Sequence, residues 1–202
     1  MKKFSRRAVL LLVILTFLFS VSLEKAEAQC ASGYTYTTVT VPYGTCSYIV
    51  GICFKCGASS NSFDFEIISI TPNNSACYST LLAYFASFIT YANSYILENY
   101  SHSLCTVPPC NQGFDGYAEV RTQMCWKKFN NNGSIDLVKC DGAYCRRSYR
   151  TCWNYTTQRV QSTLIQTSLI GEIDCTSEEP IDPTIYGTYS AWCWNPPLIT
   201  CQ

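Results

Sequence analysis

Fourteen cysteines in 202 residues, every one of them after Gln29, constrain this chain more than any other feature. An even number in an exported chain argues for disulfides, not free thiols. Removing one native bridge from a small secreted domain costs about 2–5 kcal/mol, against a total stability of about 5–15 kcal/mol. The bridges therefore decide whether such a fold persists outside a cell.

The export signal is at the front. Lys2, Lys3, Arg6 and Arg7 precede an apolar run from Ala8 to Val21, and Ala26-Glu27-Ala28 has the small-x-small form of a cleavage site. Residues 1–28 read as a signal peptide and 29–202 as one disulfide-rich extracellular domain, with a possible internal boundary near 105–115. Ser5-Arg6-Arg7 also fits a twin-arginine signal, but that route exports folded chains and sits badly with bridges made outside. Glu27-Ala28-Gln29 is not the small-residue approach to a lipidated Cys30. Five of the 14 basic and two of the 14 acidic residues lie in the first 28, leaving 9 against 12. So mild an acidic balance gives no basic stripe for nucleic acid. Localisation is expected to be secreted, extracellular or cell-surface.

Ser79 to Leu97 predicts one long helix. Leu81, Tyr84, Phe85, Phe88, Ala92, Tyr95 and Ile96 recur at three- and four-residue steps. Ala83, Ala86, Ser87, Thr90 and Ser94 make the other face, small and uncharged. No charged residue lies between Glu66 and Glu98. The stretch is short for a bilayer span, carries Asn93 and is flanked by Cys77 and Cys105, so no membrane span is expected.

The rest reads as strands. Tyr34–Val41, Ser47–Phe54 and Phe63–Thr71 form a meander on β-branched and aromatic content. Tyr117–Phe129 is a long strand that turns at Asn130-Asn131-Asn132-Gly133, where Asn-Gly accepts positive φ. Ile135–Cys140, Tyr144–Tyr155, Val160–Ile170 and Tyr186–Trp194 complete the set. Val160, Leu164 and Ile165 fit a helix as well, but the Thr/Ile/Val content favours a strand. The expected class is α+β, mostly β, with antiparallel hairpin meanders packed around the helix.

Six cysteines are singled out. Cys105/Cys110 and Cys140/Cys145 share a C-x4-C spacing and are expected to pair with each other, the second across the Asp141-Gly142 turn. Cys53-Phe-Lys-Cys56 has the form of a redox dithiol, with Lys55 able to lower a thiol pKa. Gly57 and a Ser/Asn loop follow it instead of a helix, which favours structural half-cystines. A zinc site would need nearly all cysteine ligands, since His102 is the single histidine. No metal or cofactor is expected.

His102 stands between Ser101 and Ser103, without a nucleophile-elbow motif. Asp64 and Glu66 share one face of a strand, as a glycosidase pair or calcium ligands would, or as a wet face does. Arg146, Arg147 and Arg150 form a basic patch that either grips acids or blunts a sheet edge. Asn73, Asn99, Asn132 and Asn154 are formal N-x-S/T acceptors. Trp126, Trp153, Trp192 and Trp194 are the candidate binding residues: a flat platform for glycans if they face outward, core if they face inward. No constellation marks an enzyme. The expected function is a secreted structural or adhesive protein, such as a subunit of a surface assembly or filament, with copies of itself or surface glycans as partners. The alternatives are a carbohydrate-binding module on exposed Trp and Tyr, and a secreted thiol-disulfide oxidoreductase.

Overall fold

A computed structural model describes residues 30–57, 61–112, 116–185, 187–196 and 201; the expected signal peptide lies outside them. The chain is mostly β, with short helices and seven disulfides. Strands β1 (Thr35–Tyr43), β2 (Cys46–Cys56) and β3 (Ser62–Pro72) form the expected antiparallel meander. Strands β4 (Gly116–Gln123), β5 (Trp126–Asn131), β6 (Ser134–Lys139), β7 (Tyr144–Asn154) and β8 (Arg159–Ile170) follow. One path through the sheet runs β1-β2-β3-β4-β7-β8. The second edge of β3 is shared. Residues 62–66 pair with β4, and Ser69 and Ile70 pair with β6, which carries β5.

Three expectations are corrected. The β3–β4 pair is parallel, so the sheet is mixed. Parallel neighbours need a long crossover, and the helices are that crossover. The helical stretch is not one long helix. It is α1 (Ser75–Ala83), α2 (Phe85–Asn99) and the single turn α3 (Ser101–Leu104). Asn74 caps α1 by accepting from the Cys77 amide at 2.9 Å. Tyr84, at φ −125° and ψ 29°, breaks the helix. Periodicity did not reveal the break because one non-helical residue leaves Leu81, Phe85 and Phe88 in phase, and all three are buried. Finally, Tyr117–Phe129 is two strands parted at Met124-Cys125, and residues 187–194 form an irregular strap, not a regular strand.

The strap follows the free edge of β5. Trp126 and Trp194 exchange backbone hydrogen bonds of 2.9 and 2.8 Å, the Ser190 amide donates to Lys128 C=O at 2.8 Å, and the Asn130 amide donates to Thr188 C=O at 3.0 Å. On one side of the sheet, α2 touches both β1 and β8, so the sheet curves around it. Phe88 packs on Tyr48 with ring centroids 4.6 Å apart, and Phe85 and Trp126 meet in a T-shaped pair at 5.3 Å. Trp126, Trp194, Phe63, Phe65, Ile52 and Ile96 are among the fully buried side chains of this core. The buried Asn93 amide donates to Thr122 Oγ1 at 2.8 Å and ties α2 to β4. The Asn132-Gly133 turn has φ of 52° and 86°, as its sequence requires.

The bridges are Cys30–Cys53, Cys46–Cys77 and Cys56–Cys105, then Cys110–Cys152, Cys125–Cys175, Cys140–Cys193 and Cys145–Cys201. Neither C-x4-C pair closes on itself. Cys105 and Cys110 are used by β2 and β7, while Cys140 and Cys145 hold the C-terminal segment. Spacing reports only local reach, and the partners lie 42–56 residues away in sequence. No bridge crosses the link between Cys105 and Cys110.

Candidate functional site

The tryptophans do not form a platform. Trp126 and Trp194 are core residues, 0% and 1% exposed. Trp153 is half-buried beneath His102, whose ring stacks on it at 3.9 Å and 11°. Trp192 is exposed, and its indole N–H donates to Glu178 C=O at 3.1 Å. Trp126 and Cys125 are sequence neighbours and both buried, because Met124-Cys125 lies between strands and does not alternate.

Nor do the serines beside His102 aim at it. Ser101 Oγ donates to Leu97 C=O and Ser103 Oγ to Tyr100 C=O, while His102 Nδ1 accepts from the Val107 amide at 3.4 Å. Cys53 and Cys56 are each bonded to a distant cysteine, and no cysteine is free.

The acidic pair belongs to a larger charged face. Asp64 stands beside Glu119 and Glu66 beside Arg121 across the parallel β3–β4 pair. Glu66 is buried and accepts from Lys139 Nζ at 2.7 Å and from the Gln123 amide. Arg121 donates to Glu119 at 2.8 Å and lies 5.3 Å from the Tyr34 ring and 5.8 Å from the Tyr144 ring. Burial raises the Asp64 carboxyl above its ordinary range, and Glu119 adds to this. Among the described residues, no three His, Cys, Asp or Glu side chains are grouped to hold a metal ion.

The arginines divide. Arg146 faces Arg121 across the β4–β7 pair and Arg150 faces Tyr117, while Arg147, of opposite parity on the strand, faces Val120. Arg146 Nε donates to Ser168 Oγ at 3.4 Å.

The sequence did not reveal a latch on the segment that leads into the strap. Lys128, with its side chain 4% exposed, reaches Glu179 and Asp182 at 2.6 Å each, and Tyr78 Oη donates to Asp182 at 2.8 Å. Its only signal was parity: Lys128 falls on the buried side of β5 with Trp126 and Asn130. Next to this latch, Asn73, Asn74, Ser75, Tyr78, Asn132 and Asp182 line much of a groove of about 500 Å³. Asn73 and Asn132 are exposed acceptor sequons on its rim. Asn99 donates to Tyr95 C=O and Asn154 accepts from the Thr156 and Thr157 amides.

Two surfaces are notable for lacking charge. On α1 and α2 the solvent side is Ala83, Tyr84, Ser87, Thr90, Tyr91 and Ser94. On β8, no charged residue occurs from Val160 to Gly171, and Leu164, Ile165 and Leu169 are 50%, 52% and 46% exposed.

No family model, no curated protein and no solved structure matches the chain. No helix among the described residues is long and apolar enough to cross a membrane.

Proposed function

We propose that this protein is a secreted structural or adhesive subunit that builds an extracellular assembly with copies of itself. The observation that carries this reading is the outer side of α1 and α2, which is uncharged from Ser75 to Leu97, before Glu98. A helix with a solvated face ordinarily carries charge there, whereas this one presents Tyr84 and Tyr91 among Ala, Ser and Thr. Exposed tyrosine without charge around it is the part of this composition that interfaces favour. Seven bridges suit an oxidising environment and give such a subunit rigidity without a binding partner.

The test is light scattering of the oxidised chain from Gln29 across a concentration series. The expected result is a mass that rises to a multiple of the monomer, and Thr90→Glu on the helix face lowers it. A monomer at every concentration overturns the reading.

Carbohydrate binding is the second reading, moved from the tryptophans to the groove beside Asp182. Carboxamides, hydroxyls and the Tyr78 ring are the groups that recognise sugar hydroxyls. Glycan-array binding that disappears in Asn132→Ala supports it, and an array without signal removes it.

A further inference from the structure

The sheet ends at three strands, and they are treated differently. β1 contains Pro42, which has no amide to donate, and its Thr40 C=O accepts from Tyr100 Oη at 3.1 Å. The free side of β5 is covered by the 187–194 strap. Among the described residues β8 pairs with no strand but β7 and ends the sheet path; α2 lies against it, with Glu98 bordering Arg159 to Ser162. At 12 residues it is the longest strand, with no proline and no charge between Val160 and Ile170. An edge of this kind is a template for another strand.

Charge at its ends says which strand. Arg159 opens β8 and Glu172 lies just past its end, and both are exposed. Among the described residues neither forms an ion pair. Glu98 lines the same groove as Arg159 without closing on it. If two copies of β8 pair antiparallel about a two-fold axis between Ile165 and Gln166, Arg159 of each copy falls opposite Glu172 of the other. Val160 then faces Gly171, Ser162 faces Leu169 and Leu164 faces Thr167, and no like charges meet. The axis falls beside the one irregularity of the strand, where Ile165 bulges out of the register between Leu164↔Tyr149 and Gln166↔Ser148. The contact is thus two short ladders flanking the bulge, each closed by an ion pair. Such self-complementarity is what an isologous interface needs.

The geometry points to β8 as a self-pairing edge that joins two copies of this chain through a two-fold antiparallel strand pair with reciprocal Arg159–Glu172 contacts. This rests on the self-assembly reading, but not on the helix face that carries it.

Sedimentation and light scattering of the oxidised mature chain test it through charge reversal. Arg159→Glu, or Glu172→Arg as a second single variant, weakens dimerisation roughly tenfold by setting like charges opposite at both ends. The double variant Arg159→Glu/Glu172→Arg restores wild-type association. Both positions are exposed, and the set of seven bridges mapped by mass spectrometry checks that each variant folds. Association that persists unchanged in both single variants, or that the double variant fails to restore, overturns the β8 contact and leaves the self-assembly reading standing. A wild-type monomer at all concentrations overturns both.

Discussion

Asp64 shows how a single residue can cost a folded chain stability. It stands beside Glu119 on adjacent parallel strands, half-buried, with Arg121 and Lys55 as its favourable neighbours. Burial raises its folded pKa above the ordinary carboxyl value, and raises that of buried Asp136 likewise. A carboxyl that binds its proton more tightly when folded penalises the native state once ionised. The penalty is fully present above the folded pKa and relieved as pH falls through it, with no further gain below about 3.8. Through these two groups, stability is expected to rise from neutral pH into the mildly acidic range. Asp64→Asn is expected to stabilise by about 0.5 kcal/mol at pH 7, the scale of one like-charge cross-strand pair, and to flatten the acid-side slope. Urea titrations at pH 5 and 7 check both. Asp64 and Glu66 were legible as neighbours on one strand face, since alternation fixes that. Glu119 and Arg121 were not, because a parallel register across a crossover of more than 40 residues leaves no local trace.

Elements were legible in proportion to how local their causes are. The meander, the Asn132-Gly133 hairpin and the strand character of 159–170 follow from composition and turn chemistry within a few residues. The helix break at Tyr84 and the strap along β5 do not, because their causes are tertiary. The strap has almost no regular hydrogen bonding within itself. It is held by backbone bonds to β5 and by Cys193, and the chain on either side of it by Cys175, Cys201 and the Lys128 contacts to Glu179 and Asp182. Breaking a buried ion pair costs about 3–5 kcal/mol, and exposed pairs contribute about 0–1. Here the lysine is buried while Glu179 and Asp182 are about half exposed, so Lys128→Ala is expected to cost about 1–2 kcal/mol. Hydrogen exchange should accelerate at the Ser190 and Trp194 amides more than in β2 or β3. Uniform acceleration across the sheet would mean that the lysine supports the core, not the strap.

At the scale of the molecule, bond type was readable from the cysteine count, and pairing was not. Each half of the chain offers several cysteines within reach of several others, and only the folded sheet selects among them. A non-reducing peptide map is expected to recover the three bridges among residues 30–105 and the four among 110–201. Replacing Cys56 and Cys105 by serine is expected to cost about 2–5 kcal/mol, read from the urea midpoint. Recovery of a Cys105–Cys110 or Cys140–Cys145 linkage would refute the architecture.

That the bridges fall into two sets, one on each side of Thr106–Pro109, bears on how the molecule can be made. Six thiols admit 15 pairings and eight admit 105, so oxidation can be searched as two small problems instead of one vast one. The first set can close while the later cysteines are still being delivered, and an error in one batch can be reshuffled without undoing the other.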